Sequence, residues 1–149
     1  MKKIYLLFLL INLFSINSAF SQGATCATAQ PFCAGGSALT FPNTTGVPSP
    51  GNLSCLGTTP NPAWFYLQIE DPGTLVFLIQ QFNTAGQPRD VDFIAWGPFP
   101  STTCLPADLI PGNQVGCSYS SSATETFTIT NALPGQIYMV MLTNFSNQA

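Results

Sequence analysis

Three features of the chain predict an all-β protein built as an antiparallel sandwich. Its 12 glycines and 13 prolines are scattered between apolar runs. The runs alternate with the period of a strand, and none has the spacing of an amphipathic helix of useful length. Hydrophobic residues make up 46% of the chain, which is too many for a disordered polymer. The expected architecture is two antiparallel sheets packed face to face and disulfide-stapled, with long polar loops over 43–62 and 97–123.

The first segment stands apart from that fold. Lys2 and Lys3 precede an apolar run from Ile4 to Ile16, and "SAFSQ" follows with small residues at Ala19 and Ser21. This is the layout of a secretory signal peptide, residues 1–21, cut after Ser21. The run is shorter than the about 20 residues a membrane helix needs. Residues 22–149 are therefore expected as one β-sandwich module outside the cytoplasm, secreted or on a cell surface, with no membrane insertion after cleavage. Cleavage leaves Arg89 as the single basic residue against Glu70, Asp71, Asp90, Asp92, Asp108 and Glu125. One arginine cannot neutralise a nucleic-acid backbone or hold the chain to anionic lipid.

The strands follow in order. In "AWFYLQIE" (63–70), alternation puts Ala63, Phe65, Leu67 and Ile69 toward a core and Trp64, Tyr66, Gln68 and Glu70 on the other side. "DPG" then supplies a turn, and "TLVFLIQQF" returns as a strand apolar on both faces until Gln80, which predicts a central or doubly covered position. "DVDFIAWGPF" (90–99) places Asp90, Asp92, Ile94 and Trp96 on one face and Val91, Phe93 and Ala95 on the other. "TETFTIT" (124–130) turns Phe127 and Ile129 inward and Thr126, Thr128 and Thr130 outward. After "NALPG", "QIYMVMLTNF" runs back, apolar on both faces, as an interior strand. "PADLI" (106–110) has room for one turn of helix at most.

Five cysteines remain after the leader: Cys26, Cys33, Cys55, Cys104 and Cys117. Secretion favours disulfides, and without a histidine or a CxxC pair a zinc site has little to build on. Locality alone suggests Cys104 with Cys117 and Cys33 with Cys55, leaving Cys26 over. Sequence does not fix connectivity.

Asp90 and Asp92 are the most conspicuous polar pair, and three readings of them are open. The favoured one is structural: Asp92 accepts backbone N–H bonds from a loop near "CSYS", and Asp90 is solvated or pairs with Arg89. In the second, both ligate calcium together with carbonyl and side-chain oxygens, although the EF-hand spacing is missing. The third, a glycosidase carboxylate pair, suffers because two residues on one strand face sit ~7 Å apart on the same side of a substrate. Other catalytic constellations lack parts: no histidine can serve a Ser or Cys nucleophile, and no lysine survives cleavage. Trp64, Tyr66 and Trp96 are expected mainly as packing, with a sugar-stacking surface as the alternative. Tyr119, in "CSYSSSATE", is the more exposed candidate for a ligand surface.

"CATAQPFC", "FPN", "NPAWFYLQI", "DVDFIAWGPF", "CSYS", "ATETFTI" and "LTNFSNQ", in this order over residues 25–149, resemble a secreted module of large Bacteroidetes surface proteins. Those proteins are exported by the type 9 system and linked to gliding motility. More distantly the chain is similar to pre-peptidase C-terminal and CUB-like β-sandwiches. The resemblance implies a jelly-roll-like surface module without catalytic activity of its own, partnered by other domains of a larger protein or by a glycan or other surface ligand. It also implies a further strand and a late cysteine, the partner of Cys26, after "LTNFSNQ", so that 22–149 is expected to be C-terminally incomplete and to leave a slot beside its last strand. The functional expectation is a non-enzymatic structural or adhesive module with no required cofactor. The alternatives are a calcium-assisted carbohydrate-binding module and a strand-exchanging filament subunit.

Overall fold

The computed structural model describes residues 23–32 and 38–149; the expected leader and Cys33 lie outside the described residues. Among the described residues seven strands run in chain order: β1 (Gln30–Pro31), β2 (Pro62–Gln68), β3 (Gly73–Gln80), β4 (Val91–Phe99), β5 (Gln114–Ser118), β6 (Thr124–Ala132) and β7 (Ile137–Asn144). Five form a sheet in the order β1-β2-β7-β4-β5, and β3 and β6 form a second. Every pairing is antiparallel except β1 with β2. The protein is thus a two-sheet β-sandwich with disulfide staples, as its alternating runs predict.

The core between the sheets is the inward half of each alternation. Phe65 and Leu67 of β2, Phe93 and Ala95 of β4, and Val140 of β7 meet Phe127 and Ile129 of β6. Phe127 stacks on Phe77 at 4.4 Å and on Phe93 at 4.9 Å between ring centroids. Gly116 of β5 makes room for this stack: a Cβ there would lie 3.0 Å from the Phe127 side chain.

β2, β4 and β7 are apolar on both faces because both faces are covered. Behind the large sheet a second apolar layer joins Trp64, Ile94, Trp96, Met139 and Met141 to Leu56, with Leu53 and Leu109 packed on its margin. Leu53 and Leu56 exchange backbone hydrogen bonds. The loop carrying them is tied to the end of β7, where Asn61 Nδ2 donates to the Asn144 carbonyl at 3.1 Å and Asn144 Nδ2 donates to that of Thr44 at 2.8 Å. Part of the loop expected to be polar over 43–62 is therefore a lid on the sheet.

The disulfides differ from those that locality suggested. Cys26 bonds Cys104, with Cα atoms 5.7 Å apart, and Cys55 bonds Cys117 at 6.6 Å. Cys117 lies opposite Ile94 on the outer side of the sheet, so it faces the lid and not its sequence neighbour Cys104. The Cys55–Cys117 bridge ties the lid to β5, and the Cys26–Cys104 bridge ties the 3-10 turn Cys26–Thr28 to the loop after β4. Cys55 is thus not available to Cys33, and Cys26 has its partner within the chain.

Three further expectations are corrected. β2 and β3, and likewise β6 and β7, are not hairpins: each turn carries the chain from one sheet to the other. β3 pairs only with β6 among the described residues, and its outward Val76 and Leu78 are 74% and 62% exposed. Apolar residues on both faces of β3 therefore do not mean burial on both. Finally, β7 has β2 on one side and β4 on the other, so the slot expected beside it is filled by the chain's own strands.

Candidate functional site

The sequence-predicted aromatics divide between packing and surface. Trp64 and Trp96 are buried and stacked, 5.8 Å apart with planes 9° from parallel. Tyr66 is partly buried against the same layer. These three belong to the outer layer and present no ligand platform, which corrects their inclusion in a ligand surface. Tyr119 is 74% exposed, as its place in a serine-rich loop suggests.

Asp90 and Asp92 open the chain's path into β4, and neither makes the bond that the structural reading assigned to it. Among the described residues no protein group donates to the Asp92 carboxyl, although only 5% of the residue is exposed. Arg89 turns away, its Nε bonding Gln148 Oε1 at 2.6 Å and its Nη2 bonding Gln87 Oε1 at 2.8 Å, so it does not pair with Asp90. Asp90 Oδ1 is buried without a partner. Glu125, at the start of β6, accepts a hydrogen bond from the Ser120 hydroxyl.

The carboxyls of Asp90 and Asp92 are both perturbed. Burial, then the neighbouring charges of Asp90 and Glu125, pushes the Asp92 carboxyl up from 3.8 to about 6. Burial and then Glu125 raise Asp90 as well. Both shifts have the sign expected when a carboxylate loses water without gaining a donor or cation. Thr143 of β7, directly across from Asp92 in the register, is 1% exposed, and its Oγ1 also lacks a partner.

Asp92 lines an open pocket of about 380 Å³ at this end of the outer layer. Cys55, Leu56, Gly57 and Thr58 supply the lid side, and Tyr119 and Phe145 complete the lining. Phe145 is 51% exposed, so two aromatic rings stand at a pocket lined by the carboxylate of a largely buried aspartate that accepts no hydrogen bond from the described protein. The disulfide Cys55–Cys117 holds the lid wall against β5, the strand that runs into the Tyr119 loop. A second pocket, of about 320 Å³, lies beside β6 and is lined by Thr128, Ile129 and Tyr138 among others; there the Tyr138 hydroxyl is already committed to Gln136 Oε1 at 3.1 Å.

Comparison of the chain with protein-family models, curated proteins and solved structures found no match. Among the described residues, no group of three or more His, Cys, Asp and Glu side chains is arranged to hold a metal ion. No described helix is long and apolar enough to cross a membrane. Two disulfides point to an oxidising environment.

Sequence reasoning found Asp92 and Tyr119 but did not join them, and it passed over Phe145, Thr143 and the 55–58 lid. One signal for Thr143 was present: it breaks the face of β7 that carries Met139 and Met141, at the position opposite Asp92.

Proposed function

We propose that the chain is a secreted, non-enzymatic β-sandwich module serving as a structural and adhesive part of a bacterial cell-surface protein. The observation that carries this reading is the pocket at the lid end, where exposed Tyr119 and Phe145 stand with the carboxyl of Asp92, which accepts no hydrogen bond from the described protein. Exposed aromatics beside a few polar groups are a common composition for recognition surfaces. The support beneath them is stiff: β4 is covered on both faces, and a disulfide bonds the lid to β5. Without histidine, the sequence also lacks the usual general base for hydrolytic chemistry. The leader and the ordered motifs support export to a surface.

The reading is tested by coupling the oxidised protein to fluorescent beads and measuring retention on bacterial cells, host cells and their purified surface polymers. Retention on at least one surface, reduced several-fold by Tyr119→Ala combined with Phe145→Ala, supports it. Equal retention of wild type and double variant on every surface, or turnover of any of those polymers, overturns it. Fractionation of cells expressing the full chain tests export separately, since intracellular retention of the uncleaved chain contradicts the secreted assignment.

A further inference from the structure

We infer that the pocket formed by Asp92, Tyr119, Phe145 and the 55–58 lid is a receptor for an aliphatic ammonium group. The inference rests on the reading of the chain as a binding module and names the chemistry its site would take. Asp92 is nine-tenths buried, lines the pocket and accepts no hydrogen bond from the described protein. A buried carboxylate in that condition is compensated by a cation or by strong donors. A neutral polyol can donate hydrogen bonds but leaves the charge in place, and Asp90 and Glu125 add to the negative potential at Asp92. A cation at Asp92 offsets the charge there.

The pocket walls decide which kind of cation fits. Calcium takes about 6 to 8 oxygen ligands, usually with several carboxylates, whereas the side chains of this lining offer one carboxylate, the Thr58 hydroxyl and the Tyr119 phenol beside Leu56, Phe145 and a disulfide. Apolar and aromatic walls suit an alkyl stem, and aromatic faces attract an ammonium through their quadrupole. A lysine side chain and a free alkylamine share this chemistry.

Isotope-labelled, oxidised protein from the full chain is titrated at pH 7.5 with five probes, following amide shifts at the pocket. The probes are Nα-acetyl-lysine methylamide, n-butylammonium chloride, Nα-acetyl-norleucine methylamide, methyl glucoside and calcium chloride. Both ammonium probes are expected to bind saturably and the norleucine probe at least tenfold more weakly. Tighter binding of the lysine probe than of butylammonium assigns the site to a protein side chain, and the reverse to a free amine. Asp92→Asn should weaken lysine-probe binding at least tenfold. Tyr119→Ala, at an exposed loop position, should weaken it several-fold even if the Asp92 variant folds poorly. Moving from pH 7.5 to pH 5 should weaken it about tenfold, as the Asp92 carboxyl facing Asp90 and Glu125 gains its proton. Binding of the norleucine probe as tight as that of the lysine probe, binding of glucoside or calcium in place of the ammonium probes, or no saturable shift with any probe overturns the ammonium assignment. The bead-retention result is independent of all these outcomes, so the module reading can survive its loss.

Discussion

Replacing Asp92 by Asn should stabilise the folded protein at neutral pH, and the gain should disappear in acid. The Asp92 carboxyl is raised from 3.8 to about 6, so the folded state holds its proton more tightly than the unfolded chain does. Its contribution to stability is therefore largest below pH 4 and is lost as pH rises from about 4 to about 6. At about 1.36 kcal/mol for each tenfold change in proton affinity, the full cost at pH 7.5 has a ceiling of about 3 kcal/mol. The carboxyl lines an open pocket, where water screens its charge, and about 1.5 kcal/mol is the better figure. Asn removes the charge at nearly constant volume and can also donate to Thr143 Oγ1, which now lacks a partner.

Urea unfolding of both proteins at pH 7.5 and pH 4 measures this directly. Asp92→Asn should be more stable than wild type by about 1.5 kcal/mol at pH 7.5, and by less than about 0.5 kcal/mol at pH 4, where the wild-type carboxyl is protonated in most folded molecules. Taking the difference between variant and wild type at each pH removes the titration of the other carboxylates to first order. Loss of stability at pH 7.5, or the same difference at both pH values, would mean that the charge is satisfied within the fold, and the reasoning would fail together with its implication of a vacant partner.

Mass mapping of the oxidised protein should find Cys26 linked to Cys104 and Cys55 to Cys117; a peptide joining Cys104 to Cys117 would refute this. With sequence separations of 78 and 62, each bridge should contribute about 4 kcal/mol through the unfolded chain, measured by unfolding of the corresponding double-serine variants. Gly97→Ala should cost about 2 kcal/mol or more, because φ is +145° and a Cβ would lie 2.6 Å from Tyr138 Cδ1; an unchanged urea midpoint would contradict that packing. On β3, the partly buried Phe77 should cost about 2 kcal/mol on replacement by Ala, below the range of a fully buried ring, and Val76→Thr should stay within about 0.5 kcal/mol; equal costs would contradict the assignment of the two faces.

Side-chain direction was readable from the sequence because it depends only on the period of a strand. Phe65, Phe93, Phe127 and Ile129 all face the interior that their alternation predicts. Sheet membership was not readable, because a turn that continues within one sheet and a turn that crosses to the other both use Pro, Gly and Asp. The β2–β3 and β6–β7 connections were misread for that reason. Two-faced apolar runs carry a similar ambiguity: in β4 the second face is covered by a distant lid, and in β3 it faces outward with Val76 and Leu78 exposed. The disulfide pattern follows from that lid, whose position depends on contacts between residues far apart in sequence. Of the site, Asp92 was conspicuous as a carboxylate heading a hydrophobic strand, but its neighbours come from the lid, the β5–β6 loop and the end of β7, which only the fold brings together.

The location of the unmet polar groups favours a binding role for this end over a purely architectural one. Buried polar atoms without partners are uncommon, and each costs on the order of 1–3 kcal/mol. Trp96 Nε1 is one such atom and lies within the outer layer. The others are Gln81 Oε1, Asp90 Oδ1 and Thr143 Oγ1; the backbone of Arg89, adjacent to Asp90, bonds the Gln81 carbonyl at 2.9 Å, and Thr143 pairs with Asp92. They gather where β4 begins and β7 ends, beside the Asp92 carboxyl, to which no described protein group donates. Three of these four groups, counting Asp92, can only accept through the atom left unpaired, and the Thr143 hydroxyl is the one donor among them. One hydroxyl cannot serve three acceptors, so a ligand that brings protons or positive charge suits this end better than one that brings acceptors, and the pocket beside Asp92 is open to it.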